Sequence, residues 1–101
     1  MPHRVGFSPR AREDLRCLYA YIADRSGSRR AKAYLDRIKR YCEGLAEFPQ
    51  RGTRRNDIAP GLRVTGFERR VLVAFHIEPG LVTIDRILYG GRDAERLAGK
   101  L

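Results

Sequence analysis

The stretch Val71-Leu72-Val73-Ala74-Phe75-His76-Ile77-Glu78-Pro79-Gly80-Leu81-Val82-Thr83-Ile84-Asp85-Arg86-Ile87-Leu88 decides the fold. Val71, Val73, Phe75 and Ile77 alternate with the period of a strand, and Leu72 and Ala74 place apolar groups on the other face. Glu78-Pro79-Gly80 is a tight-turn signal, and Leu81–Leu88 reads as the returning strand. Apolar residues on both faces of both strands predict that the pair is central and covered on both sides.

Leu62–Phe67 reads as one more strand, just before this pair. Residues 49–61, Pro-Gln-Arg-Gly-Thr-Arg-Arg-Asn-Asp-Ile-Ala-Pro-Gly, form a polar loop rich in turn residues. The loop is longer and more basic than a plain connector needs, which points to a functional role. Upstream, Ala31, Leu35, Ile38, Cys42 and Leu45 recur at helical spacing, with Tyr34, Tyr41 and Phe48 beside them. Pro49 ends that helix by disfavouring helical geometry at Phe48.

An earlier helix starts at Ser8-Pro9, serine as N-cap and proline at the first helical position. Its apolar face carries Ala11, Leu15, Leu18, Tyr19 and Ile22. Ser26-Gly27-Ser28 separates the helices, with Gly27 suited to a left-handed C′ position and Ser28 to an N-cap. So short a linker predicts an antiparallel helical hairpin. Residues 3–7 read as a first strand, and 93–101 as a short helix or tail. The order is β-α-α-β-β-β, an α+β domain with a helical hairpin packed on a small, mostly antiparallel sheet. Leu15, Leu18, Ile22, Leu35, Ile38, Leu45, Val73, Phe75 and Ile84 are predicted to be largely buried.

The length of 101 residues suits one domain, 1–101. No apolar run approaches the roughly 20 residues of a membrane helix. The N-terminus lacks the apolar core of a signal peptide, so a cytoplasmic location is expected. The two cysteines, Cys17 and Cys42, lie outside any CxxC spacing and are expected to be reduced. His3 and His76 are isolated, and no ligand pair suggests a metal. No cofactor motif is present: Gly90-Gly91 follows a strand without a GxGxxG pattern or a P-loop lysine.

Twenty-one basic residues against 12 acidic ones give a net charge of +9. Such a chain favours acidic partners: nucleic acid, the ribosome, a nucleic-acid enzyme or an acidic protein segment. Residues 51–70 concentrate the charge, with Arg51, Arg54, Arg55, Arg63, Arg69 and Arg70 against Asp57 and Glu68. Arg63 at a strand entry, Arg69 and Arg70 at a tight connection, Arg86 within a strand and Arg92 after it are the candidate contacts for a target. Guanidinium groups bind phosphate and carboxylate bidentately and can stabilise the charge built up in RNA cleavage. The apolar flanks of Arg86 favour an internal carboxylate as its partner instead. For Arg92, pairing with Asp93 or Glu95 is the competing reading. Tyr89 could stack on a base, although shielding the sheet suits it better. Serines at helix ends and scattered acids give no nucleophilic site, so no catalytic residue is assigned.

The chain resembles the RelE/ParE superfamily of bacterial toxins, and its ParE-like branch most. The resemblance rests on Phe7-Ser8-Pro9-Arg10-Ala11 with Asp14-Leu15, Tyr21-Ile22-Ala23, Ala33-Tyr34 with Arg37-Ile38, and Leu45-Ala46-Glu47-Phe48-Pro49. It continues through Arg51-Gly52, Asp57-Ile58, Pro60-Gly61-Leu62-Arg63 and Gly66-Phe67, and closes on Arg86-Ile87-Leu88-Tyr89-Gly90-Gly91-Arg92-Asp93. Order and spacing over nearly the whole chain carry it. It implies the toxin of a type II toxin–antitoxin module, neutralised by a cognate, ParD-like antitoxin with an acidic C-terminal segment. ParE-like members poison DNA gyrase, whereas RelE-like members cleave mRNA on the ribosome with basic residues and often a C-terminal tyrosine. Tyr89 stands where ParE-like chains commonly have histidine. The tail Ala94–Leu101 holds no tyrosine or histidine, and the stretch before Gly66 lacks the lysine pair of RelE-like chains. These departures favour gyrase inhibition. The alternative is a RelE-like ribosome-dependent mRNA endoribonuclease, and a third reading is a plasmid-stabilisation module that keeps only antitoxin binding.

Overall fold

A computed structural model describes residues 3–90. Strand β1 (Arg4–Phe7) leads to helices α1 (Pro9–Ser26) and α2 (Ser28–Glu43), and a single 3-10 turn follows at Gly44–Ala46. Strands β2 (Thr53–Arg54), β3 (Arg63–Phe67), β4 (Val71–Glu78) and β5 (Leu81–Tyr89) complete the five-stranded sheet, ordered β1-β5-β4-β3-β2. Only the β1–β5 pair is parallel. The α+β architecture, with a helical hairpin on a mostly antiparallel sheet, therefore holds. The loop read over residues 49–61 contains one strand more than expected, the two-residue β2. Candidate residues Arg92 and Asp93, and the expected final helix or tail, lie outside the described residues.

Ser8 fixes the start of α1 as its sequence predicts. Its Oγ accepts from the Ala11 N–H at 3.0 Å and donates to the Asp85 carbonyl at 2.9 Å, so one hydroxyl caps the helix and ties it to β5. The next boundary differs from expectation. Gly27 itself stands between the helices, at φ 92°, and caps α2, while Ser28 is already helical. A residue without Cβ serves both as the C-cap of one helix and the N-cap of the next.

The main core lies between the hairpin and the sheet. Leu15, Leu18, Leu35, Ile38, Leu45, Val73, Phe75 and Ile84 are buried there, joined by Ala11, Cys42, Val71, Val82 and Ile87. Ile22 is only partly buried, because it lies toward the tip of the hairpin, at a groove described below. Phe48, beyond the 3-10 turn, is 59% exposed and lies under the Arg51 guanidinium, whose carbon is 5.3 Å from the ring centre. Burial pushes the Cys42 thiol up to about 12, which marks it as a small core residue.

A β-bulge at Asp85 explains how β5 serves both faces. Ala74 pairs with Arg86 and Phe75 with Ile84, so Asp85 is an extra residue. Val82 and Ile84 before it, and Ile87 after it, all reach the main core despite their odd spacing. The other face carries a smaller cluster of Leu62, Val64 and Ala74, edged by Ile58, Ala59, Leu72 and Leu88. The loop read as a carrier of function covers that face. Arg55 N–H donates to the Leu62 carbonyl at 2.8 Å, and Gly61 N–H to Asn56 Oδ1 at 2.8 Å, folding the loop back on itself. At Gly52, with φ 76°, a Cβ would collide with the Val64 carbonyl, so the loop can lie this close to β3 only with glycine there.

Candidate functional site

Three elements meet at one end of the molecule: the tip of the helical hairpin, the β3–β4 turn and the end of β5. Between them lies a groove of about 510 Å³. Tyr89 from β5 forms its floor, with the Tyr21 ring centre at 5.7 Å and that of Tyr34 at 6.2 Å, edge-on. Tyr34 also packs on Phe67, which in turn meets Tyr41. Tyr89 thus shields the sheet end, as its sequence position suggested, while remaining half-buried at the groove. Burial, and then the neighbouring Tyr89, raise the Tyr34 hydroxyl above the ordinary tyrosine range.

Guanidinium groups surround these rings. The Arg25 guanidinium carbon lies 3.9 Å from the centre of Tyr21, and that of Arg37 lies 5.0 Å from the centre of Tyr34. Arg37 also binds the Glu68 carboxylate with two hydrogen bonds, at 3.0 and 3.1 Å. Arg30 and Arg70 complete the lip. Neither has an ion-pair partner among the described residues.

The β3–β4 turn that supplies Glu68 and Arg70 is strained. Glu68 and Arg69 have φ of 50° and 63°, and Arg70 N–H donates to the Phe67 carbonyl at 3.2 Å. Both central residues are therefore left-handed, as a type I′ turn requires, at positions where Asn-Gly is the usual choice. Each bears a Cβ, with a strain of about 1–2 kcal/mol per residue. The same geometry sets the Glu68 carboxylate against Arg37.

The remaining sequence candidates are dispersed. Arg86 has its Nε and Nη2 each 2.9 Å from an Asp14 carboxylate oxygen, and only 11% of its side chain is exposed. It joins α1 to β5, and Asp14 is the internal carboxylate that its apolar flanks suggested. Arg63 donates to the carbonyls of Arg51 and Gln50, both at 3.1 Å, and so holds the loop after α2. It lines a separate recess with Arg54, Asn56 and Ile77. Arg69 and Arg70 are exposed at the turn. Of the candidates among the described residues, only Arg70 and Tyr89 share the groove.

A second, larger groove of about 860 Å³ is lined by residues of β1, α1 and α2. Phe7, Leu15, Tyr19 and Leu35 give it an apolar base, and Arg12, Arg16, Lys32 and Lys39 rim it, with Asp36 the acid among them. Lys32 pairs with Asp36 at 2.9 Å and Arg16 pairs with Glu13, so the excess is basic after pairing.

The family model for the ParE toxin of type II toxin–antitoxin systems matches residues 5–94. The chain belongs to the ParE toxin family. Among solved structures, it is similar to a chain of a chromosomal ParDE toxin–antitoxin system from P. aeruginosa, with TM-score 0.76 and 21% identity over 87% of this chain and 96% of that one. It is also similar to a chain of the toxin–antitoxin complex RelBE2 from Mycobacterium tuberculosis, with TM-score 0.63 and 20% identity over 88% and 99%. These likenesses show the RelE/ParE fold. The search of curated proteins returned no match.

Within this ParE-family fold, sequence reasoning missed Tyr21, Arg25, Arg30, Tyr34 and Arg37 as groove residues. A signal was present. Tyr21 and Arg25 are four apart at the end of one helix, and Arg30, Tyr34 and Arg37 follow at spacings of four and three in the next. An antiparallel hairpin brings both series to one end.

Proposed function

We propose that this ParE-family toxin acts in the cytoplasm by inhibiting DNA gyrase, and that a cognate, ParD-like antitoxin neutralises it. The observation that carries this reading is the ParE family match across residues 5–94. The chemistry of the groove supports it. An endoribonuclease needs groups that move protons as well as groups that stabilise charge. The groove offers guanidiniums, tyrosines and one carboxylate, Glu68, which Arg37 holds in an ion pair, and Tyr34 is shifted away from ready ionisation. Arg69, Arg70 and the recess around Arg63 are the proposed target contacts, together with Arg92.

The hairpin groove is the proposed seat of the antitoxin. Its apolar base fits the apolar face of a helix, and its basic rim fits a segment rich in Asp and Glu. Charge of this kind mainly raises the association rate. Mixing toxin and antitoxin over a range of salt should therefore show association slowing as salt rises; a rate independent of ionic strength contradicts the electrostatic part. For the target, Arg70→Glu in cells lacking antitoxin should relieve growth inhibition while the protein stays folded. Undiminished toxicity removes Arg70 from the contact surface.

A further inference from the structure

The tyrosine–arginine groove offers rings and guanidiniums rather than the aliphatic bed on which an amphipathic helix docks. Its lining is made of ring faces and guanidiniums, and Ile22 and Ala33 supply the aliphatic surface. A docked peptide helix needs an elongated aliphatic bed. The groove lined by Phe7, Leu15, Tyr19 and Leu35 offers the more apolar base. At about 510 Å³ the groove lies within the range of roughly 300–1,000 Å³ typical of small-ligand sites.

Charge narrows the ligand further. Four arginines face the groove against one carboxylate, Glu68, which Arg37 already holds. Arg30 and Arg70 are left without an ion pair among the described residues. A matching ligand carries an anion for these two. It also carries a flat π-system, because the Arg25 guanidinium, its carbon 3.9 Å from the centre of the Tyr21 ring, and the neighbouring tyrosines are stacking groups. Nucleobases stack on aromatic rings and on guanidinium planes alike. The β3–β4 turn adds an independent sign. Its two left-handed residues, neither of them glycine, store strain at the lip, beside Arg70, and such strain concentrates at ligand sites.

We propose that this groove binds a nucleoside phosphate, the base lying against Tyr21 and Tyr34 and the phosphate taken by Arg30 and Arg70. The ligand is either a free mononucleotide or one unit of a single-stranded nucleic acid. The site stands whether or not gyrase is the target.

The test uses the full-length protein, titrated with AMP, ATP, adenosine, inorganic phosphate, an eight-residue oligothymidylate and hexaglutamate, and followed by calorimetry and amide NMR shifts. AMP or ATP should bind with Kd below roughly 1 mM, perturbing the amides around Tyr21, Tyr34 and Arg70. Adenosine and phosphate alone should each bind roughly tenfold more weakly or worse, since each satisfies half the site. Arg30→Glu and Arg70→Glu should each lower affinity roughly tenfold or more. Arg40→Glu, an equal charge change at an exposed position on α2 outside the groove, should leave it unchanged. An oligothymidylate that binds at least tenfold tighter than AMP assigns the site to single-stranded nucleic acid, and the reverse order assigns it to free nucleotide. The proposal is overturned by phosphate binding as tightly as AMP, by equal losses in Arg40→Glu and Arg70→Glu, by no binding of any nucleotide, or by hexaglutamate alone occupying the groove.

Discussion

Arg86 and Asp14 face each other through two hydrogen bonds of 2.9 Å, and one oxygen of Asp14 also accepts the Ile87 N–H at 2.9 Å. β1 pairs with β5 only as far as Phe7 and Ile84, so beyond that point the edge of β5 lacks a strand partner. Asp14, projecting from α1, supplies an acceptor to that edge and a counter-charge to Arg86. Removing the acid leaves a mostly buried guanidinium and a backbone donor without it. Asp14→Ala should therefore destabilise the fold by about 3 kcal/mol or more, and Asp14→Asn by less, because it keeps an acceptor. Chemical denaturation of the single variants and of Asp14→Ala/Arg86→Ala checks this. Strict additivity of the two changes would show that the pair is not coupled.

Leu35 and Phe75 test the main core from its helical and sheet sides. Both are buried, Leu35 5% exposed and Phe75 fully enclosed at 0%. Truncating either to alanine should cost about 2–5 kcal/mol, the transfer of the lost atoms plus the cavity left behind. Unchanged denaturation midpoints in both variants would contradict the core assignment.

Much of this fold was legible in the chain, and the parts that were not have physical reasons. Ser8-Pro9 announced α1, and alternation announced β4, because both signals are local. The apolar flanks of Arg86 called for an internal acid, but Asp14 is 72 positions away, and nothing local selects it over other acids. The bulge at Asp85 leaves a trace: Val82 and Ile84 keep one phase, Ile87 and Tyr89 the other. Arg86 and Leu88 between them blur that shift. β2 has only two residues, too few to show a period. The groove was hidden for a different reason. Its rings and cations come from two helices, a turn and a strand end, and only packing brings them together.

The left-handed β3–β4 turn predicts a stabilising substitution. Arg69→Gly removes the Cβ clash at φ 63°, a gain of about 1–2 kcal/mol, partly offset by the backbone entropy that glycine loses. The net should be a stability gain of about 0.5–1 kcal/mol. Thermal denaturation decides it, and a lower midpoint for the variant would show that the turn is not strained.

His76 should make stability fall as pH rises. Its Nδ1 lies 2.8 Å from Asp85 Oδ2 and its Nε2 3.1 Å from Glu78 Oε1. The hydrogen bond to Asp85 raises its pKa most, burial opposes the shift, and Glu78 adds to it. The folded state thus holds the imidazolium proton more tightly than the unfolded chain does. The stabilisation is fully present below the ordinary histidine value of about 6.5 and is lost as pH rises through the raised folded value. The midpoint advantage of the wild type over His76→Gln should shrink as the pH rises above about 6.5 and through the raised folded value. An advantage that grows with pH would reverse the sign and refute the assignment.

Gyrase inhibition can be read in a supercoiling assay. Purified protein freed of antitoxin is added to DNA gyrase, relaxed plasmid and ATP, and in parallel to translating ribosomes with a defined mRNA. Loss of supercoiling or accumulation of cleaved DNA is expected, with the mRNA intact. Unimpaired supercoiling together with site-specific mRNA cleavage that Arg92→Ala abolishes would contradict it.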